Sequence, residues 1–300
     1  MKPSTRNSLL AITACLLWAT PFVFVKITLE HLPPLTVAGL RFLLAGLIQI
    51  PFCKRSPFNL LKTAPKTVLL VALFQTILLY AGFFYALSLI RGAQAAIVIG
   101  SGPLVAAVAA HFAMHDDKLS RRTLQSIAFG LGGIVIISIA TKPWEPVGLR
   151  ELAGIGILLT GSVVSAAGNI VVAKKRGSLP AVELNSIQML LGGAVLLLCA
   201  LPVDGVPNLD LPLKFYGALV WLAFVSATGF GIWFHLLSHE KVSELNIWKF
   251  IIPLAGATLS WFFIPGESPD LPTLAGMVLI IIGIIHSQRK TAHESSRIQN

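Results

Sequence analysis

The chain is 300 residues long, 55% hydrophobic and 12% charged, with a mean hydropathy of +0.80. Soluble domains carry roughly 25% charged residues, so too little charge is present to clothe a water-facing surface. The formal net charge of +10 does not point to nucleic acid, because the basic residues fall in short clusters between apolar runs, such as Lys54-Arg55, Arg121-Arg122 and Lys174-Lys175-Arg176.

A helix crossing hydrocarbon needs about 20 apolar residues. In chain order, ten segments meet this: 9–29, 33–53, 67–89, 92–113, 123–140, 152–173, 180–201, 213–236, 242–264 and 271–287. Lys2 and Arg6 precede the first, but its apolar run from Leu9 to Val25 is longer than a signal-peptide core of about 7–15 residues, so it reads as a permanent span. Residues 291–300 read as a polar tail. Cys15, Cys53 and Cys199 lie in or beside apolar runs without metal-ligand spacing and read as small hydrophobes.

Alternate connections differ sharply in charge. One side collects Lys2, Arg6, Lys54, Arg55, Lys62, Lys66, Lys118, Arg121, Arg122, Lys174, Lys175, Arg176, Lys241, Arg289, Lys290 and Arg297. The other holds only Arg91, Lys142, Arg150 and Lys214, beside acids such as Glu30, Glu151, Asp204 and Asp210. The positive-inside rule then places both termini in the cytoplasm.

Within the spans, three residue types stand out. Pro21, Pro103 and Pro253 each leave the carbonyl four residues earlier without its donor, which makes them candidate hinges, although a static kink explains them equally well. Aromatic residues recur at helical spacing: Trp18 in the first segment, Tyr80, Phe83 and Phe84 in the third, Phe230, Trp233 and Phe234 in the eighth, and Trp248 in the ninth. Packing alone also accounts for such stripes. Charges are the sharpest signal, since one at a helix centre costs roughly 2.5–3.5 kcal/mol. Lys249, with Asn246 one turn before it, is a candidate for a substrate carboxylate, or else snorkels to the headgroups. Arg41 is the second such charge. Gln94, Ser101, Ser165, Asn169, Asn185 and Gln188 are neutral polar residues that serve as ligands or as helix–helix glue, with Ser165 and Asn169 favoured for a cavity wall. No Asp or Glu falls at mid-span, which argues against strict proton exchange. Walker A, GxSxG and HExxH sequences are missing, and the histidines show no metal spacing, so no catalytic or metal role is assigned.

The second half aligns with the first at an offset of 150 residues: Pro103 meets Pro253, Arg91 meets Lys241, and Gly133 meets Gly283. Five segments per half is an odd number, so the halves enter the membrane in opposite directions, as in many secondary transporters with a midplane site. The expected units are 1–145 and 146–290. The segments YALSLIRGAQAAIVIGSGPLVAAVAAHF (85–112) and TVAGLRFLLAG (36–46) resemble the EamA repeats of the drug/metabolite transporter superfamily, closest in character to the YddG-type bacterial exporters of aromatic amino acids. That resemblance implies an all-α membrane protein of ten transmembrane helices in two inverted repeats around a central cavity, with no bound cofactor and with alternating access. It also implies that Arg41, matching an arginine that recurs in the family's second helix, is a structural anchor.

The expectation is therefore a monomeric exporter in the bacterial inner membrane, surrounded by lipid, moving aromatic or hydrophobic amino acids. Trp18, Tyr80, Phe84, Ser101, Ser165, Asn169, Phe230, Trp233, Asn246, Trp248 and Lys249 are its expected substrate contacts. Two rivals stand beside it. A lipophilic-cation exporter needs a buried acid, and an intramembrane or lipid-handling enzyme needs paired catalytic groups at one depth.

Overall fold

A computed structural model describes residues 5–87, 89, 98–139, 148–208, 210–263 and 271–288. Arg91, Gln94, Lys142, Arg289, Lys290, Arg297 and the tail lie outside these residues, and so does the side chain of Phe84. Among the described residues the regular structure is helical throughout: α1 (Thr5–Ala19), α2 (Pro21–Leu29), α3 (Pro34–Gln49), α4 (Asn59–Thr63), α5 (Pro65–Ala72), α6 (Leu78–Leu87), α7 (Gly102–Ala113), α8 (Arg121–Ile139), α9 (Leu149–Ala173), α10 (Ala181–Asp204), α11 (Leu213–Leu237), α12 (Val242–Ile247), α13 (Ile251–Phe263) and α14 (Leu271–Gln288). Seven stretches among the described residues are long and apolar enough to cross a membrane: Thr5–Leu29, Pro34–Phe52, Pro65–Phe83, Leu149–Ala173, Ala181–Asp204, Leu213–Leu237 and Leu271–Gln288. The other expected segments are helical over Val98–Ala113, over α8, and in two pieces over α12 and α13.

The prolines restart helices rather than sit in their middles. Pro21 is the first residue of α2, Pro103 the second of α7 and Pro253 the third of α13. A first turn has no intrahelical use for those N–H groups, so proline is tolerated there. Leu17, whose carbonyl Pro21 deprives of a donor, instead accepts from the Thr20 backbone N–H (3.2 Å) and from Thr20 Oγ1 (2.8 Å). Before Pro103, Ser101 donates from Oγ to the Val98 carbonyl at 2.6 Å, which is not the Ile99 carbonyl that this proline frees. Pro202, by contrast, is carried inside α10, which runs three residues past the expected end at 201 to Asp204. There it removes the bond that a residue 202 N–H would make to the Leu198 carbonyl, in the last turn of the helix.

Small residues let the helices touch. A Cβ on Gly133 would lie 2.5 Å from the Gly276 carbonyl oxygen, and one on Gly276 would lie 2.5 Å from the Gly133 carbonyl oxygen, so α8 and α14 meet backbone to backbone. Gly39 faces Leu197 and Gly46 faces Leu190, which makes α3 and α10 antiparallel. In α6 and α9, Gly82 faces Ile157 while Leu79 faces Gly161, again antiparallel. Such close approaches gain dispersion contacts where no hydrophobic drive exists between helices in lipid.

The connections gather at two ends. At one, Arg176 Nη1 pairs with Asp116 (2.9 Å), its Nη2 donates to the Glu240 carbonyl (2.6 Å) and its Nε to the Leu237 carbonyl (3.1 Å). Lys54 donates its backbone N–H to Glu183 Oε1 at 2.9 Å, and Asn7 bonds the Glu240 carboxylate. Asp117 accepts from the Ser243 N–H at 3.0 Å and from its hydroxyl, capping α12. At the other end Lys214 pairs with Glu30 at 3.0 Å and Thr36 donates to Asp204 at 2.8 Å. The basic connections therefore converge at one face.

Candidate functional site

The inner face of α11 organises the candidate site. Ser226, Phe230 and Trp233 recur at i, i+4 and i+7, so they share one side of that helix. The α1 helix delivers Trp18 to it: the Trp18 ring centroid is 5.2 Å from that of Phe230 and 5.1 Å from that of Trp233. Phe234 extends the group, 6.3 Å from Phe230. This close approach depends on Gly229, where a Cβ would lie 2.6 Å from Trp18 Nε1.

Lys249 enters the same cluster. It sits on a single 3-10 turn, Trp248–Phe250, between α12 and α13. Its Nζ lies 4.9 Å from the Trp233 ring and 5.9 Å from the Trp18 ring, within cation–π range. Among the described residues Lys249 makes no ion pair and no hydrogen bond, and it keeps part of its surface accessible. The indole Nε1 atoms of Trp18 and Trp233 are buried without a hydrogen-bond partner.

A second cluster forms two helical turns away along α11. Arg41 Nε donates to Ser226 Oγ at 2.7 Å, and Ser226 Oγ donates on to the Leu222 carbonyl at 2.8 Å. The guanidinium carbon lies 5.3 Å from the Phe42 ring and 5.8 Å from the Tyr80 ring, and these rings meet edge to face at 4.4 Å. Phe83 adjoins Tyr80 at 6.3 Å. The expected aromatic stripes of the third and eighth segments thus resolve into two aromatic groups, each holding one cation.

Neutral polar residues divide by role. Thr76 Oγ1 donates to Gln188 (2.7 Å), Gln188 to Asn185 (3.0 Å), Asn185 to Gln49 (2.8 Å), and Gln49 Nε2 to the Ala227 carbonyl (2.8 Å). This buried relay joins four helical segments, and Asn185 and Gln188 are glue within it. Asn169 is used by half: its Oδ1 accepts from Gln75 at 2.8 Å, while its Nδ2 is buried without a partner. Ser165 offers its backbone carbonyl to Gln75 at 3.3 Å. A π-helical turn at Leu73–Ile77 aims Gln75 and Thr76 into this region. Such turns often mark functional positions.

Other expected contacts lie apart from the two clusters. Asn246 Nδ2 bonds the Val242 carbonyl of its own helix at 2.8 Å. Trp248 lines a small cleft at the basic end with Asn7, Ser8 and Glu240. Ser101 bonds within its own turn, and Phe84 falls outside the described side chains. A cleft of about 480 Å³ also opens at the basic end, between Lys54, Arg55, Leu179, Glu183, Ser238 and His239. Gln49, Gln75, Thr76 and Ser226 were not singled out in the sequence. Their one signal is polarity inside an apolar run.

Comparison with known proteins places this arrangement. The model of the EamA-like transporter family matches the chain twice, over residues 6–139 and 152–287. A protein of Salmonella typhimurium named "Probable amino-acid metabolite efflux pump" is 26% identical over 300 residues, covering 94% of each chain. A protein of the same name from Escherichia coli is 25% identical over 301 residues, again with 94% of each chain covered. The uncharacterized transporter YvbV of Bacillus subtilis is 26% identical over 94% of this chain and 91% of its own. One solved crystal structure superposes with a TM-score of 0.80 at 19% identity, covering 94% of this chain and 98% of the other, which establishes a common fold.

Proposed function

The chain belongs to the EamA-like transporter family, and we propose that it exports aromatic or hydrophobic amino acids, and metabolites built on them, by alternating access. It is a multi-pass membrane transporter of small molecules and not an enzyme. The finer picture has ten spans in two inverted five-helix repeats, with both termini on the cytoplasmic side of a bacterial inner membrane.

The packing supports the inversion. In a ten-segment count, α3 and α10 are the second and seventh spans, and α8 and α14 the fifth and tenth. Each is paired antiparallel with its own counterpart, as a two-fold axis in the membrane plane requires. Convergence of the basic connections at one face supports the orientation.

The observation that carries the cargo reading is the pair of aromatic–cation clusters on one face of α11. Aromatic walls take an apolar side chain, and Lys249 takes a carboxylate. A lipophilic cation would need a buried acid, and every carboxylate among the described residues lies at an end of the bundle. Proteoliposome flux of radiolabelled aromatic and aliphatic amino acids, with and without a pH gradient, tests the proposal. Saturable flux of an aromatic member is expected. Silence across the panel beside efflux of a quaternary amine would move the cargo to cations.

A further inference from the structure

The two clusters have a shared electrostatic feature. Each holds a cation, and among the described residues neither has a counter-ion. Glu30, Asp116 and Glu244 pair with Lys214, Arg176 and Lys241 at the ends of the bundle. Asp117, Glu183 and Asp204 accept from N–H and O–H donors in the same terminal regions. Lys249 and Arg41 meet none of these. Arg41 uses one of its five N–H donors, on Ser226, and its Nη atoms make no hydrogen bond among the described residues. Lys249 uses none. The two cations lean on the same face of α11, at Ser226 and Trp233, about 10 Å apart along the helix axis.

Two charges of one sign in a low-dielectric interior repel each other and anything cationic brought beside them, and they are stabilised by an anion. A free amino acid brings both signs. Its carboxylate suits Lys249, but its ammonium needs a carboxylate or an uncommitted aromatic face. Among the described residues no carboxylate is there, and Lys249 and Arg41 already stand on the rings of Trp18, Trp233, Phe42 and Tyr80, so an ammonium laid on the remaining Phe83, Phe230 or Phe234 would sit beside a like charge.

We infer that the preferred cargo is an organic anion: a small carboxylate with an aromatic or apolar body and no free ammonium, its carboxylate on Lys249 and its body along the α11 face toward Arg41. This rests on the transporter reading of the same site and narrows its substrate class. Keto, hydroxy and N-acyl derivatives of amino acids have this chemistry.

The test is counterflow through the full chain in proteoliposomes with four probes that share a benzyl group: phenylpyruvate, N-acetylphenylalanine, phenylalanine and phenylethylamine. The two amine-free acids are expected to move about tenfold faster than phenylalanine, the size of effect expected from bringing in one polar group that finds no partner, and phenylethylamine is expected not to move. Lys249→Gln should shrink that ratio, and Lys249→Arg should keep it. Because the ratio is read first on the unaltered protein, it stands even where Lys249→Gln does not insert. Phenylalanine moving as fast as the acids, or a ratio unchanged in Lys249→Gln, overturns the inference and leaves an amino-acid exporter. If none of the four moves, the inference falls and the aromatic-cargo reading falls with it.

Discussion

Lys249 is a charge within an apolar stretch, on a turn between two helices; at a helix centre in a bilayer such a charge costs roughly 2.5–3.5 kcal/mol, and the two indole faces offset part of any such cost here. Its retention there, unpaired among the described residues, is the strongest residue-level sign of a ligand. Gly229 is the quieter counterpart. With a Cβ there 2.6 Å from Trp18 Nε1, Gly229→Ala must push the indole off the Phe230–Trp233 pair. Overpacking of this kind costs about 1–3 kcal/mol, so thermal unfolding in detergent should show a lower Tm and transport should fall. Asn185 makes the opposite case. Asn185→Ala removes an acceptor from Gln188 and a donor from Gln49. A loss of about 1 kcal/mol is expected, seen in detergent unfolding, with transport by the surviving protein near normal. A complete loss of flux with unchanged stability would instead move Asn185 into the transport path. Lys249 and Trp233 were legible in the sequence because charge and large aromatics inside an apolar run are rare. Gly229 was not, because a glycine declares nothing until the indole that needs it is placed by another helix.

At the scale of elements, three irregularities fall at the candidate site, while the 3-10 turn Ile50–Phe52 and the turn at Ser101 lie elsewhere. The Thr20–Pro21 break lies two residues from Trp18, the π-helical turn carries Gln75 and Thr76, and the 3-10 turn carries Lys249. Prolines revealed two of the three irregular stretches, those near Trp18 and Lys249. The π-helical turn has no proline and no glycine, so nothing in LFQTI distinguished it from regular helix. The prolines were legible as positions, but their local role was not, since Thr20 satisfies the Leu17 carbonyl that Pro21 leaves free. Pro21→Ala therefore gains little: a stability change within about 1 kcal/mol is expected, because a first-turn proline forgoes no intrahelical bond. Transport measured on the same preparation separates a hinge, which slows when Pro21, Pro103 or Pro253 becomes alanine, from a fixed bend, which does not.

At the scale of the molecule, segment placement was largely readable because apolar length is a physical requirement of the bilayer, and the observed helices follow the expected boundaries within a few residues. Which helices touch was not readable, since α3 on α10 and α8 on α14 are chosen by small residues that only the assembled bundle brings into register. The central claim is that two five-helix units of opposite sense enclose one transport path, which fixes both chain ends on the basic face. Single cysteines at Thr5, Gln288, Glu30 and Lys214, in a chain whose Cys15, Cys53 and Cys199 are replaced by serine or alanine, test this with a membrane-impermeant maleimide on intact cells and inverted vesicles. Thr5 and Gln288 are predicted to label only in inverted vesicles, and Glu30 and Lys214 only in intact cells. Labelling of Thr5 and Gln288 from opposite faces would contradict the account.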